Sequence, residues 1–497
     1  MPGKYIYRLL MAVAVVVCLG SCKKMLDVES HRAVAEENMW QTKNDAWAGS
    51  FACYGLVRAA LVNENAYWVY GDLRGGDFTI TKRGDLQAVT ESKLTSNYTT
   101  MDQWRDWRRF YAAIDQCNVS IENLPKVPQR DYRYSKSEMK LDLAQVRVLR
   151  AFLYFYMVRV WGNVPFLIQS GDSDFQNIAK ADQKTILDFC VSETLAAYKD
   201  LPWRYNGEFP EAPGDYRGQG ESHFASIAVT KGIALTLIAH IYAWQHNYEQ
   251  AAVYCDQVVD NQKNTTYAFV TTDVLTKLDG VFRGRGSAHN IFQLDFNVDH
   301  AEYSTTGQLE DWTLREPHIP KKESEIYVSK DSIIDIFNES GDNREDYYFT
   351  RMDEEHPEFY KLKQINSIMT NPPLRFYTSA VVVFRYEELF LLRAEARTAL
   401  GRIDDAIADL NLVRAQRGLQ PLASPQSKED LVNYILQERR RELMGEGWRW
   451  FDLVRMGKVK DFTSLTQEDI DNGAAYWPVS KSALQQNGLL EQLNYWK

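Results

Sequence analysis

The residues LIAHIYAWQHNYEQAAVYCDQVV, starting at Leu237, lie without a gap over LRAEARTALGRIDDAIADLNLVR, starting at Leu392. Ala239 meets Ala394, Tyr248 meets Ile403, Ala251 meets Ala406, Cys255 meets Leu410 and Val258 meets Val413. Each copy reads as a helix, a polar turn and a second helix, with apolar side chains every three to four residues. Small residues stand where the two helices have to approach. One such pair cannot bury its apolar face alone, so it has to stack on others, which is the logic of tetratricopeptide-like repeats. LRAFLYFYMVRVWGNVPFL followed by residues 186–201 supplies a third, more divergent pair, and a fourth is expected to begin near Trp104. Generic helical hairpins would give the same periodicity; the gapless register over both helices favours true repeats.

Helical stripes also run through about 101–124, 140–160, 226–245, 248–260, 386–400, 403–417 and 429–444. Strand-like alternation is rare, and its best candidates are Asn290 to Phe296 and Ala380 to Phe384. Long stretches at about 202–225, 261–330 and 341–379 are rich in Gly, Pro, Asp, Asn and aromatics. Loops of that length usually carry function. The expected fold is mainly α, a helical solenoid on one side and a loop-built surface on the other.

Lys4 and Arg8 precede an apolar run, Leu9 to Leu19, that is too short to span a bilayer, which takes ~20 apolar residues. A basic start, a short apolar middle and small residues at its end describe a secretory signal. Leu19-Gly20-Ser21-Cys22 resembles a bacterial lipoprotein cleavage box, which implies that Cys22 becomes the acylated first residue. Several acyl chains, at ~0.8 kcal/mol per buried carbon, tether a protein without spanning the membrane. Taking Lys4 and Arg8 from 57 basic residues leaves 55 against 67 acids, a net of −12. Such a body is repelled by nucleic-acid phosphates and by anionic lipid heads. Of six cysteines, Cys53, Cys117, Cys190 and Cys255 remain, with no CxxC pair and no zinc spacing. Cys190 and Cys255 fall on apolar helix faces, as small buried hydrophobes do. A disulfide is compatible with an oxidising compartment, but spacing does not pair the four.

No enzyme signature is present: there is no HExxH, GxSxG, P-loop or calcium loop. The eight histidines are scattered, and His240 and His246 do not share a helix face, so no metal site or cofactor is expected. Glu387-Glu388 and Asp404-Asp405 are adjacent pairs on helices; a solvated face is the ordinary reading, and glycosidase-type catalysis needs more than pairing. The Arg439-Arg440-Arg441 run is flanked by Glu438 and Glu442 at helical spacing, with Leu436, Leu443 and Met444 on a core face. Gly445 and Gly447 end that helix, and Trp448, Trp450, Phe451 and Leu453 pack a second short element. The segment reads as a structural joint.

This joint, ERRRELMGEGWRWFDLVRMGK, resembles the C-terminal signature of the SusD/RagB family of outer-membrane nutrient-binding lipoproteins. The segments FRYEELFLLRAEARTALGRIDDAIADLNLVRAQRG, LRAFLYFYMVRVWGNVPFL, TKGIALTLIAHIYAWQHNYEQAA and YWPVSKSALQQNGLLEQLNYW are similar to further parts of that family. The resemblance implies about four tetratricopeptide-like pairs packed against a loop-rich ligand region with few short strands. It also implies a lipid-anchored protein on the outer face of the outer membrane, not an enzyme. Such a protein captures an oligosaccharide, or alternatively a peptide, for a SusC-like TonB-dependent transporter; a partner-binding scaffold is the reading from another class. Lys23 and Lys24 stand directly after Cys22 and acids come only at Asp27 and Glu29, so the exterior location rests on the resemblance alone. The expected organisation is a signal peptide at 1–21, a tether at 22–39 and a SusD-like domain at 40–497. Within that domain an N-terminal part covers about 40–225 and a C-terminal part about 226–497.

Ligand residues do not come from any motif and rest on chemistry. Sugars present flat C–H faces that Trp and Tyr rings cover, with polar groups nearby to orient hydroxyls. AYWVYGDLRGGDF offers Trp68, Tyr70 and Asp77, with Tyr67, Asp72 and Arg74 beside them, and AEYSTTGQLEDWTLRE offers Tyr303, Trp312 and Arg315 with Asp311. Burial in the core is the competing reading for each ring. Loop context favours exposure for Trp312, whereas Trp161, Trp244 and Trp448 lie in helix patterns and are expected in the core.

Overall fold

The computed structural model describes residues 39–497 apart from 172–176, 284–286, 288, 297–301, 303–308, 369–373, 424 and 426. Its backbone is a row of helices that pack in an unbroken series. They are α1 (Lys43–Val62), α2 (Arg108–Asn123), α3 (Lys136–Trp161), α4 (Gln183–Tyr198), α5 (Lys231–Trp244) and α6 (Tyr248–Asp260). The row continues through α7 (Tyr386–Ala399) and α8 (Ile403–Ala415) to α9 (Lys428–Glu442), and then comes the shorter α10 (Arg449–Arg455). Each helix from α1 to α8 packs on the next, giving the pairs α1–α2, α3–α4, α5–α6 and α7–α8, and α9 also lies on α7.

The self-similar segments are thus the pairs α5–α6 and α7–α8. Ala239, Ala251, Ala394 and Ala406 are fully buried, which lets the helices close up. The helix starts are chemically marked: the Ser135 side chain accepts from Glu138 N and the Thr230 side chain from Ile233 N. The fourth pair differs from expectation. Its first helix is α1, far upstream of Trp104, and the stripe through 101–124 breaks at Asp106 and Trp107 into Thr99–Arg105 and α2.

The two segments read as strands form β1 (Asn290–Leu294) and β2 (Val381–Arg385), which pair antiparallel with Leu294 opposite Val381. One buried apolar cluster runs from Trp40 to Ala483 and includes Trp161, Trp244 and Trp448. Cys53, Cys117, Cys190 and Cys255 are all buried and free.

The arginine-rich end of α9 is a joint built from charge. Glu442 takes Arg417 at 2.7 Å, Arg385 at 2.7 Å and Arg344 at 3.1 Å, and all four groups are shut away from water. Burial alone would raise the Glu442 carboxyl, but Arg417, Arg385 and Arg344 hold it well below the usual carboxylate range. Arg385 and Lys361 both reach Glu446, at 2.8 and 2.6 Å. The solvated face expected for Glu387 and Glu388 is corrected here. Both are buried, Glu387 against Arg385 at 3.2 Å and Glu388 between Arg439 at 2.9 Å and His240 at 3.0 Å. Arg439 and His240 lie far from Glu388 in sequence, so adjacency alone does not reveal them. Asp404 and Asp405 are exposed, as expected.

Candidate functional site

The residues chosen for ligand binding come together only in part, and they come together inside. Trp68, on the short helix Ala66–Gly71, meets Trp312, on the short helix Leu309–Thr313, edge to face at 5.7 Å. Phe78 closes on Trp68 from another side at 5.0 Å. Tyr70 is fully buried, edge-on to Trp477, and its hydroxyl accepts from Arg109 at 2.6 Å. Asp77 pairs with Arg440 at 2.6 Å, and Arg315 with Glu354 at 2.6 Å.

The exposure expected of Trp312 is therefore corrected: it is 4% exposed, because its helix tucks beneath Arg83, whose guanidinium lies 5.0 Å from the ring. Tyr303 and Cys22 lie outside the described residues. The cause of the burial is visible in the backbone. AYWVYGDLRGGDF docks on the α9–α10 joint, where Asp72 accepts from Gly447 N at 2.6 Å and Arg449 N at 3.2 Å. A Cβ on Gly71 would fall 1.9 Å from the Gly447 carbonyl oxygen, so two chain segments touch there at backbone distance.

The largest hollow is elsewhere, a cleft of about 760 Å³ between α1, α3, the loop at 216–228 and the end of β1. Phe51, Tyr54, Gly55 and Arg58 enter it from one face of α1. Phe51 is 50% exposed, uncommon for a phenylalanine and useful for a flat apolar partner. Opposite it stand Tyr216, His223 and Phe224, and polar side chains of Gln145, Gln293, Asp295 and Glu302 complete the wall.

The cleft is preorganised by hydrogen bonds. Tyr54 donates to Gln145 Oε1 at 2.7 Å and Gln145 Nε2 donates to the Tyr216 oxygen at 2.8 Å. Tyr216 in turn donates to Asp142 at 2.6 Å, where Arg217 also arrives at 2.9 Å. Burial pushes both the Tyr54 and Tyr216 hydroxyls well above the usual phenol range, so both stay neutral donors. Arg217 then lies 4.0 Å from the Phe51 ring, which fixes that ring from behind. Arg58 donates to the Asp295 carbonyl and pairs with Glu302 at 2.9 Å. The arrangement can hold a ligand with flat apolar faces and many hydroxyl or amide groups. An aromatic, a glycine and an arginine at Phe51, Gly55 and Arg58 share a helix face, and that spacing is the sequence signal for it.

A SusD superfamily protein of Bacteroides thetaiotaomicron superposes on this chain with a TM-score of 0.84 at 37% identity, covering 92% of this chain and all of that one. The chain belongs to the SusD superfamily. The family model for the SusD family matches residues 359–496, which contain α7 to α10 and the buried-charge joint. SusD-like protein P38 of Formosa agariphila is 26% identical over 522 residues and covers 95% of both chains. A laminarin-binding SusD-like protein shares the fold, with a TM-score of 0.72 at 22% identity over 91% of this chain and 99% of its own. In keeping with its helical periodicity, this SusD-superfamily chain is mainly helical with tetratricopeptide-like pairs. Among the described residues no helix is long and apolar enough to cross a membrane, and no group of His, Cys, Asp and Glu side chains is placed to hold a metal ion.

Proposed function

We propose that this protein is a glycan-binding member of its family, a non-enzymatic lipoprotein that captures an oligosaccharide for a SusC-like TonB-dependent transporter. The observation that carries the reading is the 760 Å³ cleft, which sets a half-exposed Phe51 beside fixed hydroxyl, amide and carboxylate groups. Sugar rings offer the matching surfaces, a C–H face for the phenylalanine and hydroxyls for the polar wall. A laminarin-binding protein of the same fold supports testing glucans first. Cys22 is the proposed lipid-bearing residue, with 1–21 as the signal peptide and 22–39 as the tether to the outer membrane, facing the exterior.

Affinity electrophoresis in gels containing laminarin, starch or mannan, with calorimetry on the matching oligosaccharides, tests capture. Retardation that is lost in Phe51→Ala is the expected result; no retardation on any glycan together with retention of peptides would replace this reading with peptide import. Time-dependent appearance of reducing ends would contradict the absence of catalysis. Cys22→Ala is expected to leave the fold intact and move the protein out of the membrane fraction.

A further inference from the structure

A second hollow lies one helical turn along α1 from the cleft. Arg58 lines the cleft, whereas Leu61 and Val62 line a cavity of about 40 Å³. The strand pair links the two as well: Leu294 of β1 belongs to the cleft wall and its register partner Val381 to the cavity wall. From Phe51 to Val62 the helix advances about 16 Å. The two hollows therefore form one track along a single helix.

The cavity walls are largely apolar, from Leu61, Phe282, Leu309, Leu362 and Val382. Among these walls stands Glu310, fully buried, with neither carboxylate oxygen completing a hydrogen bond. The Trp68 indole N–H, from the same lining, has no acceptor. Unpaired buried polar groups of this kind are costly, and native proteins seldom keep them without a use. Burial pushes the Glu310 carboxyl up to about 7, and the Ser379 hydroxyl and amide oppose that shift without closing a hydrogen bond of good geometry. The other carboxylate on the wall, Glu446, is already matched by Lys361 and Arg385. The cavity thus offers two free acceptors and one free donor, and room for a few atoms.

Building on the glycan reading, we propose that this cavity is the end subsite of the glycan track. It seats an adjacent pair of hydroxyls of a neutral sugar, which donate to Glu310 while one hydroxyl oxygen accepts from Trp68. A hydroxyl is both donor and acceptor, so a diol satisfies all three free groups. An ammonium group would leave Trp68 unmatched and would face Lys361 and Arg385. A uronic acid would bring a second carboxylate against Glu310, where like charges repel strongly.

The test is calorimetry of the full-length chain with laminarihexaose, maltoheptaose, mannohexaose and a galacturonate oligomer. Wild type, Glu310→Gln, Trp68→Phe and Phe51→Ala are compared, with thermal unfolding of each. The expected result is binding of a neutral oligosaccharide by wild type, about ten- to hundredfold weaker in Glu310→Gln, the range for hydrogen bonds to a charged group. Trp68→Phe, which removes the N–H and keeps an aromatic ring, is expected to weaken binding severalfold, and neither Glu310→Gln nor Phe51→Ala to lower the unfolding temperature. Equal affinity in wild type and Glu310→Gln, with Phe51→Ala impaired, would overturn the subsite while leaving glycan capture in place. Preference for the galacturonate oligomer would overturn it as well. No binding of any saccharide by wild type would remove both readings.

Discussion

Two buried carboxylates in this protein have opposite surroundings. Glu442, at the end of α9, is met by three guanidinium groups drawn from residues 344, 385 and 417. Glu310, beside Trp68 and near the end of α1, is met by none. Both have lost water, so burial pushes both carboxyls up; only Glu442 has enough positive charge to reverse the push. Burial of an acid therefore does not by itself reveal its task. A saturated carboxylate cements segments that are distant in sequence. An unsaturated one is kept at a cost in stability and is explained by a partner from outside.

The largest effect should come from breaking the saturated side. Glu442→Gln leaves three buried guanidinium groups short of an acceptor, and we expect a loss of roughly 5 kcal/mol in denaturant unfolding, the upper part of the range for broken buried pairs. Glycan affinity measured on any folded fraction should then fall only with the fold. Next, Trp312→Ala should cost roughly 4 kcal/mol, as truncation of a buried tryptophan does. A ring exposed on a loop would instead change stability by less than about 0.5 kcal/mol. That measurement separates a wall of the Glu310 region from a free platform.

The third effect has a sign that depends on pH. Glu310 holds its proton more tightly folded, at about 7, than its ordinary value of 4.5. Its contribution is therefore complete below that ordinary value and is lost as pH rises through about 7. Glu310→Gln should accordingly be more stable than wild type at pH 8 by roughly 3 kcal/mol, and no more stable at pH 4, as measured by thermal unfolding. The neighbours on every side are Ser379, Asp311, Tyr67 and the neutralised Glu446, none of which supplies a counter-charge. Glu442 works in the other direction: its folded carboxyl lies below 4.5, so its stabilisation is present above that value and lost in acid. The smallest stability effect belongs to Phe51→Ala, within about 0.5 kcal/mol because the ring is half in water. Its expected consequence is weaker glycan binding alone.

The solenoid is legible in sequence because its pairs are local: a 3.6-residue period, small residues at the crossings and polar turns are all written within about 25 residues of one another. The two strands are legible by alternation, and they pair with each other. The hidden features depend on residues far apart. Nothing in LEDWT distinguishes Glu310 from Asp311, yet Asp311 is matched by Lys321 at 2.6 Å and Glu310 by nothing. Glu387 and Glu388 read as solvated for the same reason, since Arg417 and Arg439 reach them only through the fold. The aromatic run at 66–78 resembles a sugar platform by composition but is spent on docking to Gly447 and Arg449. Phe51 is inconspicuous in sequence because it sits inside a long helix, where an aromatic ordinarily turns to the core.

The most direct measurement is a crystal structure of the wild-type protein with a bound neutral oligosaccharide identified by calorimetry. We expect a sugar ring against Phe51, the chain running along α1, and two hydroxyls within hydrogen-bond distance of the Glu310 carboxylate. A saccharide bound on another face, with Glu310 still unmatched, would contradict the proposed track.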